Sequence, residues 1–446
     1  MQYDWTHCAL GHPGDRRGVI MMAMLCFVMI PTWLAMVRRK YLAGATRTSR
    51  RAEVPRDIIV FCLDQLGDLV LTTPLFRELK RLYPSARCAV VVPSEYKTIL
   101  ATNRHVDDIL PFQLVKARWL PARAQRLASA LWFYRTVLWR RYFDLAIVPR
   151  WDLDESLATL LCELTNAGTR VGHSAQASAA KQRFNRGFDA AFDVLVPSGP
   201  VQHEVDRNLA IVEALGGTVG SRQLEICLTE NDRKFASELL KHHDRHRLLV
   251  AVGIGGRAAS RKWPLQRYAE CIARLHHERI VQPVIVCSAA EDAEASALSV
   301  MLPVPPYILS GVPLRAVGAV LEQCDLFVGN DSGTAHLAAA MECPTVVVSR
   351  HPANGDRNHA NSPARFGPRC AVSRVVQPVT GAGGCVASCR SAEPHCILRV
   401  TVDRVVAAAL EMLPREVPAK FRTIVPLNSR ATLPAEARPD GALGPA

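Results

Sequence analysis

Two carboxylates surround a glycine where an apolar segment changes into an amphipathic one. Asp64 and Asp68 lie on either side of Gly67 in the stretch FCLDQLGDLVLTTPLFRELKRLYP, Phe61 to Pro84. A carboxylate at the start of a helix beside a cleft can act as a general base toward an attacking hydroxyl. Asp68 can also simply cap that helix, because the N-terminal end of the helix dipole stabilises negative charge. Asp64 can replace it as the base or hold the backbone of the loop, and Gly67 permits a tight turn or the close approach of a substrate.

A second polar cluster lies in the stretch GNDSGTAHLAAA, residues 329–340, between a strand pattern and a helical pattern. Its candidate ligand groups are Asp331, Ser332, Gly333, Thr334 and His336. Free backbone N–H groups and the helix dipole make such a turn suited to a diphosphate. An ordinary capped helix with a buried histidine would have the same composition, so the motif alone leaves both interpretations open.

A third stretch, GIGGRAASRKWPLQRYAE, places cations beside a glycine turn. Arg257, Arg261 and Lys262 precede a helix that is predicted to begin near Pro264. Cations next to a glycine loop suit a phosphate group, and the alternative is a solvated basic loop. The stretch is not a Walker loop, and no G-x-G-x-x-G fingerprint follows the first strand pattern.

The fourteen cysteines are mostly scattered through apolar segments, which favours a reducing compartment over a disulfide framework. Near the C-terminus, CVASCRSAEPHC contains Cys385, Cys389, His395 and Cys396. The C-x3-C spacing is within the range of metal-ligand pairs, but adjacent residues such as His395 and Cys396 rarely bind one ion together. The sequence therefore favours loop packing, and it predicts no metal and no cofactor. It has no recognisable Ser-His-Asp signature.

These motifs need elements to position them. Short apolar segments alternate with helical periods in two sets, residues 56–225 and 245–413, which predicts an α/β protein with two Rossmann-like, doubly wound domains. Ligands of such sheets bind beyond the carboxyl ends of the strands, and all three polar motifs lie there. Two facing domains would then form a central cleft. Among single elements, a helix is predicted over 122–140, another over 153–166, and a short edge strand at RVGHS.

The two ends of the chain differ from these domains. Residues 18–37 form an uncharged stretch of about 20 residues, just long enough to span a bilayer, and Arg38, Arg39 and Lys40 follow it. This pattern predicts an N-terminal membrane anchor with the main body in the cytoplasm. An interfacial segment and a misassigned start are the alternatives. Residues 41–55 are expected to be a basic linker, and residues 416–446 a disordered tail.

The chain has 446 residues and a formal net charge of +13, which suits an anionic partner such as a sugar nucleotide or an acidic membrane surface. A generally basic proteome would give the same charge. Arginine-rich arrays with interleaved aromatic residues are missing from the sequence, so nucleic acid is not an expected partner.

Together the motifs resemble the family 9 glycosyltransferases, the ADP-heptose:lipopolysaccharide heptosyltransferases. The resemblance covers approximately residues 57–412 and rests on four stretches in the same order: LDQLGDLVLTTPLFRELKRLYPSA, SRKWPLQRYAE, GNDSGTAHLAAAMECPTVVV and CVASCRSAEPHC. It implies a GT-B architecture, with an acceptor domain followed by a nucleotide-sugar domain. It also implies inverting, metal-independent transfer of a heptosyl group from ADP-heptose to a lipopolysaccharide core, at the cytoplasmic face of the inner membrane.

The resemblance also implies roles for single residues. Asp68 matches the proposed catalytic base, with Asp64 and Gly67 on the acceptor side. The residues that match the donor side are Arg261, Lys262, Glu291, Asp331, Ser332, Gly333, Thr334 and His336. Glu291 would hold the ribose.

Three departures from the family pattern keep other functions open. Arg261 stands where the family usually has lysine, VCSAAED replaces a glycine-rich turn, and the hydrophobic N-terminal extension is unusual. A sugar transferase or epimerase with another nucleotide sugar is one alternative. A non-catalytic protein that binds nucleotide sugars is the other.

Overall fold

The computed structural model describes residues 54–114, 121–197, 199 and 202–415. The predicted membrane segment, most of the basic linker and the C-terminal tail lie outside these residues. Within them, no helix combines the length and the apolar character needed to cross a bilayer.

Two six-stranded sheets form the framework, and all their strand pairs are parallel. The first sheet consists of β1 (Asp57–Phe61), β2 (Arg87–Pro93), β3 (Asp108–Phe112), β4 (Tyr142–Val148), β5 (Asn166–His173) and β6 (Val194–Val196). The second consists of β7 (Leu248–Gly253), β8 (Val281–Cys287), β9 (Tyr307–Ser310), β10 (Leu326–Asn330), β11 (Thr345–Val348) and β12 (Ser373–Val376).

Helices cover both faces of each sheet. Those that precede or follow strands of the first sheet are α1 (Leu66–Leu82), α2 (Lys97–Leu100), α3 (Ala122–Phe133), α4 (Ala158–Leu164), α5 (Ala179–Phe184) and α6 (Glu204–Ala214). The remaining α-helices are α7 (Glu230–Leu239), α8 (Leu265–Arg279), α9 (Asp292–Met301), α10 (Leu314–Leu321), α11 (Gly333–Ala340), α12 (Pro363–Phe366) and α13 (Val402–Met412).

The two sheets share one topology. The strand order of the first is β3-β2-β1-β4-β5-β6, and the second, read from its opposite edge, is β9-β8-β7-β10-β11-β12. In each sheet the order reverses between two central strands, β1 and β4 in the first and β7 and β10 in the second. Ligands bind at this reversal in doubly wound sheets. The prediction of two Rossmann-like domains is confirmed.

One apolar core joins the two domains. Val70 of α1, Val205 of α6 and Leu337 of α11 are fully buried and belong to a single continuous cluster, in which α1 packs against both other helices. Complete burial of a side chain of this size contributes about 1.5–3 kcal/mol. The helices that begin at the two reversal points are therefore held against each other by hydrophobic packing.

Three element boundaries differ from the predictions. β5 is an interior strand rather than a short edge strand, and β6 forms the edge. The helix predicted over 153–166 is shorter because the carboxylate of Asp154 accepts hydrogen bonds from the backbone N–H groups of Ala158 (3.2 Å) and Thr159 (2.8 Å), which starts the helix later. The long helix predicted over 122–140 ends as α3 at Phe133 and continues as a π-helical turn, Tyr134–Leu138.

Candidate active site

The first turn of α1 presents the carboxylate of Asp68. The helix begins at Leu66, so Asp68 is its third residue and not, as the sequence suggested, the residue that begins it. The backbone N–H of Gln65 donates to Asp68 Oδ2 at 3.2 Å. One oxygen therefore stabilises the start of the helix, as the capping interpretation required. The other oxygen, Oδ1, points to a cation.

That cation is Arg150, which sequence reasoning missed. It follows β4, and its guanidinium lies 3.5 Å from Asp64 Oδ1 and 3.5 Å from Asp68 Oδ1. The three side chains remain 23–24% exposed, so a substrate hydroxyl can reach the carboxylates. The position of Arg150 just beyond the carboxyl end of a strand next to β1 was the available sequence signal.

The two carboxylates differ in their electrostatic environment. Burial raises the pKa of Asp64 to about 7, and the charge of Asp68 adds to the rise while Arg150 opposes it. Burial also lowers the pKa of Arg150, but the charges of Asp64 and Asp68 outweigh this and raise it above the ordinary value. Asp64 is therefore the group that changes charge near neutral pH.

A small cavity of about 20 Å³ lies beside these groups. Its lining includes Asp64, Asp68, Arg150, Trp151, Glu204 and Asn208. A volume of this size holds about one water molecule. It is too small for a sugar ring.

The first turns of α1 and α11 are in direct contact across the cleft. A Cβ at Gly67 would lie 2.6 Å from His336 Cδ2, and a Cβ at Gly333 would lie 2.9 Å from Leu66 Cβ. Both separations are shorter than carbon atoms tolerate, so each glycine allows the opposite helix to approach. The structure thus brings together the two motifs that the sequence placed about 265 residues apart.

His336 is buried at this contact. Burial lowers its pKa to about 4, with the charge of Asp68 opposing the change, so the imidazole is neutral at pH 7. Its Nδ1 has no hydrogen-bond partner among the described residues. A neutral ring nitrogen at this place can accept or donate one hydrogen bond, depending on its tautomer.

Asn330 connects the two glycine-rich turns of the second domain, and sequence reasoning missed it. Its amide nitrogen donates to the carbonyls of Ile254 (2.9 Å) and Gly255 (3.2 Å). Its oxygen accepts from the backbone N–H of Trp263 (2.8 Å) and the hydroxyl of Tyr268 (2.9 Å). The side chain is fully buried, so it fixes the turn after β7 relative to the turn after β10.

The turn after β10 has the polar groups that the sequence predicted. Ser332 and Thr334 hydroxyls lie 2.9 Å apart at the start of α11. Burial raises the pKa of Asp331, and Arg261 and Arg350 oppose the change. The backbone N–H groups of the first turn of α11 point in the direction that suits an anion.

Two arginines flank this turn. Arg261 donates to the side chain of Asn361. Arg350, which follows β11, donates to the hydroxyl of Ser260, and its buried Nε has no hydrogen-bond partner in the described part of the chain. Sequence reasoning missed Arg350, although it too lies just beyond the carboxyl end of a central strand. Together the arginines and the turn form a cationic site.

Lys262 and Glu291 lie together at the glycine turn that follows β7, beside Gly255 and Gly256. Lys262 Nζ lies 2.9 Å from Glu291 Oε1 and 2.8 Å from Glu294 Oε2. Glu291 also accepts from the backbone N–H of Gly256 (3.2 Å) and of Ser288 (3.0 Å). Burial raises the pKa of Glu291, but these hydrogen bonds outweigh it and lower the pKa below its ordinary value. Lys262 is therefore already neutralised by acids, whereas Arg261 and Arg350 are the cations that act electrostatically on Asp331 in the turn after β10.

Comparison with known proteins gives both sequence relatives and structures of the same fold. A profile described as "Glycosyltransferase family 9 (heptosyltransferase)" matches residues 141–351. Lipopolysaccharide heptosyltransferase 3 of Escherichia coli is 25% identical over 291 residues, which cover 63% of this chain and 80% of the relative. Lipopolysaccharide heptosyltransferase 2 of Salmonella typhimurium is 22% identical over 338 residues, which cover 73% of this chain and 88% of the relative.

The profile match and the curated relatives support placing the chain in glycosyltransferase family 9.

Solved structures match the fold. A family 9 glycosyl transferase from Veillonella parvula has a TM-score of 0.61 and 18% identity, and covers 80% of this chain and 97% of its own. The E. coli heptosyltransferase WaaC with ADP has a TM-score of 0.57 and 18% identity, over 80% of this chain and 99% of its own. The predicted GT-B architecture is confirmed, and the protein is a glycosyltransferase.

A buried ion network links the two domains of this glycosyltransferase beside the cavity that Trp151 and Glu204 line. Arg365 of α12 is fully buried. It donates to Glu204 Oε1 at 2.7 Å and to Asp152 Oδ2 at 2.8 Å, which both belong to the first domain. Its guanidinium also lies 4.5 Å from the centre of the Trp151 ring. Sequence reasoning missed this network because its members are far apart in the chain.

The C-terminal cysteines of the glycosyltransferase do not lie as expected. His395 and Cys396 are adjacent, yet both face the same point as Cys385 and Cys389. The sequence favoured loop packing here because adjacent residues rarely bind one ion together, and the structure nevertheless brings these side chains together. The backbone of His395 adopts φ −141° and ψ −86° immediately before a 3-10 turn, Cys396–Arg399. This conformation turns the two neighbouring side chains toward one centre.

Proposed function

We propose that this glycosyltransferase moves a heptosyl group from ADP-heptose to a hydroxyl of a lipopolysaccharide core, with inversion at the anomeric carbon. The family description and the names of the curated relatives support heptosyl transfer to lipopolysaccharide. The observation that carries the proposal is the contact between Gly67 and His336. The contact supports the proposal because Asp68 follows Gly67 in the chain, and His336 lies in the first turn of α11, the candidate diphosphate site.

Asp68 acts as the general base. Its Oδ1 takes the proton of the acceptor hydroxyl, and the hydroxyl oxygen forms a bond to the anomeric carbon. The bond between that carbon and the diphosphate oxygen breaks on the opposite side, and ADP leaves with the electron pair. Arg150 lies 3.5 Å from the same oxygen, and it keeps the carboxylate oriented while the proton is still on the hydroxyl.

The donor diphosphate occupies the turn after β10. The N–H groups and hydroxyls of Ser332 and Thr334 bind its oxygens, and Arg261 and Arg350 balance the charge that develops as ADP leaves. His336 offers its neutral Nδ1 to the sugar or the diphosphate. Glu291 binds the ribose hydroxyls, while Lys262 orients Glu291 through their 2.9 Å ion pair. No metal takes part in this step of the proposal.

The first domain receives the acceptor, with Asp64 and Gly67 lining its side of the cleft. A lipopolysaccharide core carries anionic groups on a lipid anchor, which agrees with the net charge of +13. The proposed location is accordingly the cytoplasmic face of the inner membrane, with the protein attached peripherally or through residues 18–37.

The decisive experiment measures ADP release from the full-length enzyme. ADP-heptose is supplied with a heptose-poor lipopolysaccharide, and Asp68→Asn is run beside the wild type. We expect acceptor-dependent release in the wild type and a loss of at least about 100-fold in the variant, the range of a positioned general base. Asp108→Asn is the matched control, because Asp108 lies at the amino end of β3, away from the cleft.

Other outcomes would contradict the proposal in distinct ways. Tight ADP-heptose binding without acceptor-dependent release would favour a non-catalytic binding protein or another acceptor. Absence of ADP-heptose binding would overturn the donor, and a panel of nucleotide sugars would follow. Analysis of the product distinguishes transfer from epimerisation, and the anomeric configuration of the product tests inversion.

A further inference from the structure

Three thiols and one imidazole converge in the loop after β12. The ligand atoms of Cys385, Cys389, His395 and Cys396 all lie within 4.8 Å of one another. His395 Nδ1 is 3.7 Å from the sulfur of Cys385, 4.0 Å from that of Cys389 and 3.6 Å from that of Cys396. With Zn–S bonds of about 2.3 Å and Zn–N bonds of about 2.1 Å, tetrahedral geometry separates sulfur and nitrogen ligands by about 3.6 Å. The three nitrogen–sulfur distances lie close to this value.

Hydrophobic packing does not account for the burial of these cysteines. Cys385, Cys389 and Cys396 are 8%, 5% and 0% exposed, whereas the loop turns Val379 and Val386 outward at 68% and 75% exposure. No α-helix or strand of the described chain lies between Val376 and the 3-10 turn that begins at Cys396. The loop therefore exposes its aliphatic side chains and encloses its sulfur atoms, the reverse of an apolar cluster.

The backbone of the loop is shaped around the sulfurs. Gly383 and Gly384 adopt φ +50° and +81°, a region that favours glycine, and they fold the chain into a tight turn. The backbone N–H of Ala382, just before this turn, donates to Cys396 Sγ at 3.4 Å. Hydrogen bonds to ligand atoms are typical of the outer shell of a metal site, where they orient the ligands.

We propose that Cys385, Cys389, His395 and Cys396 bind one Zn²⁺ ion as a structural site. Three thiolates and one imidazole are a common ligand set for structural zinc, and soft thiolates exclude Mg²⁺ and Ca²⁺. The chain supplies all four ligands, so no coordination position is open to a substrate. The ion therefore serves the fold and takes no part in sugar transfer.

The site fixes a loop that supports the donor side of the cleft. The carbonyl of Ala392 accepts from the backbone N–H of Ser260 at 3.1 Å, and the carbonyl of Ala387 accepts from the backbone N–H of Asp356 at 2.8 Å. The carbonyl of Ser391 accepts from the guanidinium of Arg350 at 3.4 Å. In sequence, all three carbonyls lie between Cys385 and Cys396, the first and the last of the four proposed ligands. The ion thus holds in place the backbone that contacts Arg350 and the residue next to Arg261.

Metal content of the full-length protein tests the proposal. The protein is purified through a tag without histidine, with no metal added, and is analysed by inductively coupled plasma mass spectrometry. We expect about one zinc per chain, since ligand sets of this type bind zinc tightly. Cys389→Ser and Cys396→Ser should lose the zinc and melt at a lower temperature. Cys227→Ser, which changes a half-buried cysteine outside the loop, should keep both properties.

A second measurement uses only the wild-type chain, in case the variants do not fold. Protein produced with Co²⁺ in place of Zn²⁺ should show the intense visible bands of tetrahedral, thiolate-bound cobalt, and added Zn²⁺ should remove them. Three results would each overturn the proposal. They are wild-type protein without stoichiometric metal, full zinc content in Cys389→Ser, and iron in place of zinc. Because metal content is measured without substrates, a failed zinc site and a failed transferase proposal are distinguishable.

Discussion

Gly67 of the first domain lies directly against the imidazole of His336 in the second, so close that a Cβ on Gly67 would be 2.6 Å from His336 Cδ2. This contact joins the first turn of α1, which contains Asp68, to the first turn of α11, which forms the proposed diphosphate site. The positions of the proposed base and the proposed donor turn therefore depend on the small size of the residue at position 67. The geometry of the cleft can be tested at this single point.

Substitution Gly67→Ala should separate the two turns. The added methyl group forces His336 or α1 to move, and an error of about 1 Å in the position of a reacting group can lower a rate by about 100-fold. We expect kcat to fall by about 10- to 100-fold in steady-state transfer assays.

The matched double variant identifies the cause. Gly67→Ala/His336→Ala removes the ring that the methyl group meets, so it should be more active than the product of the two single effects predicts. Strictly multiplicative effects would show that the contact does not set the cleft geometry.

The titration of Asp64 should appear in the pH profile of the reaction. Its pKa is raised to about 7 by burial and by Asp68, so kcat/KM should have an inflection near neutral pH that Asp64→Asn removes. Arg150 lowers the same pKa, and Arg150→Met should therefore move the inflection to higher pH by about 1 unit or more. Asp108→Asn should leave the inflection unchanged. An inflection that persists in Asp64→Asn would assign it to another group.

Much of this cleft was predictable from the sequence because strand-to-helix transitions are local patterns. Asp68, Ser332 and Thr334 each stand where an apolar segment changes to a helical period, and parallel sheets place such residues at one edge. Arg150 and Arg350 follow strands in the same way. They were missed because a single arginine after a strand has no local pattern to distinguish it from a solvated side chain.

Other features arise only in three dimensions. Glu204 and Asp152, the partners of Arg365, precede it in the chain by 161 and 213 positions. No periodic pattern of residue types predicts contacts over such separations. The convergence of His395 and Cys396 depends on one backbone conformation that residue types do not encode. The start of α1 differs from the prediction for a similar reason. Gln65 and Asp68 form a capping box, and the helix therefore begins at Leu66 rather than at Asp68.

Donor affinity should distinguish Arg350 from Lys262. Arg350 flanks the proposed diphosphate turn, and its buried Nε has no hydrogen-bond partner among the described residues. Arg350→Gln should therefore weaken ADP binding by about tenfold or more, because one charge-assisted hydrogen bond is lost. Lys262 already pairs with Glu291 and Glu294, and Lys262→Gln should cost less. Isothermal titration calorimetry with ADP measures both. A larger loss of ADP affinity in Lys262→Gln would place the diphosphate at the turn after β7, beside Lys262.

Arg365→Met should destabilise the folded enzyme strongly. The substitution leaves the carboxylates of Glu204 and Asp152 without their shared buried cation, a change that costs about 3–5 kcal/mol in other proteins. Arg374→Met is the control, because Arg374 forms an exposed pair with Glu411 at 3.7 Å, and such pairs contribute about 0–1 kcal/mol. Urea denaturation gives both values. Equal losses would show that the network does not hold the domains together.

Acid should weaken the fold partly through His336. Its pKa falls from the ordinary 6.5 to about 4 on burial, so between these pH values the unfolded chain binds a proton that the folded chain does not. The free energy of unfolding must then decrease as pH falls through this window, by up to about 1.4 kcal/mol per pH unit for one group. His203, with a pKa lowered to about 4 by burial, acts in the same direction. Asp64 acts in the opposite direction between 3.8 and about 7, because its folded pKa is raised.

The contribution of His336 is therefore measured as a difference between variants. Urea denaturation of wild type and His336→Asn at several pH values from 7 to 4.5 should give a shallower loss of stability in the variant, because asparagine has no proton to gain. His277→Asn, which replaces a histidine whose side chain is 87% exposed on α8, is measured beside it as the control. An equally steep loss of stability in His336→Asn and in the wild type would contradict this prediction. It would mean that the His336 imidazole gains a proton as easily in the folded enzyme as in the unfolded chain, so that the tight contact with Gly67 is open in solution.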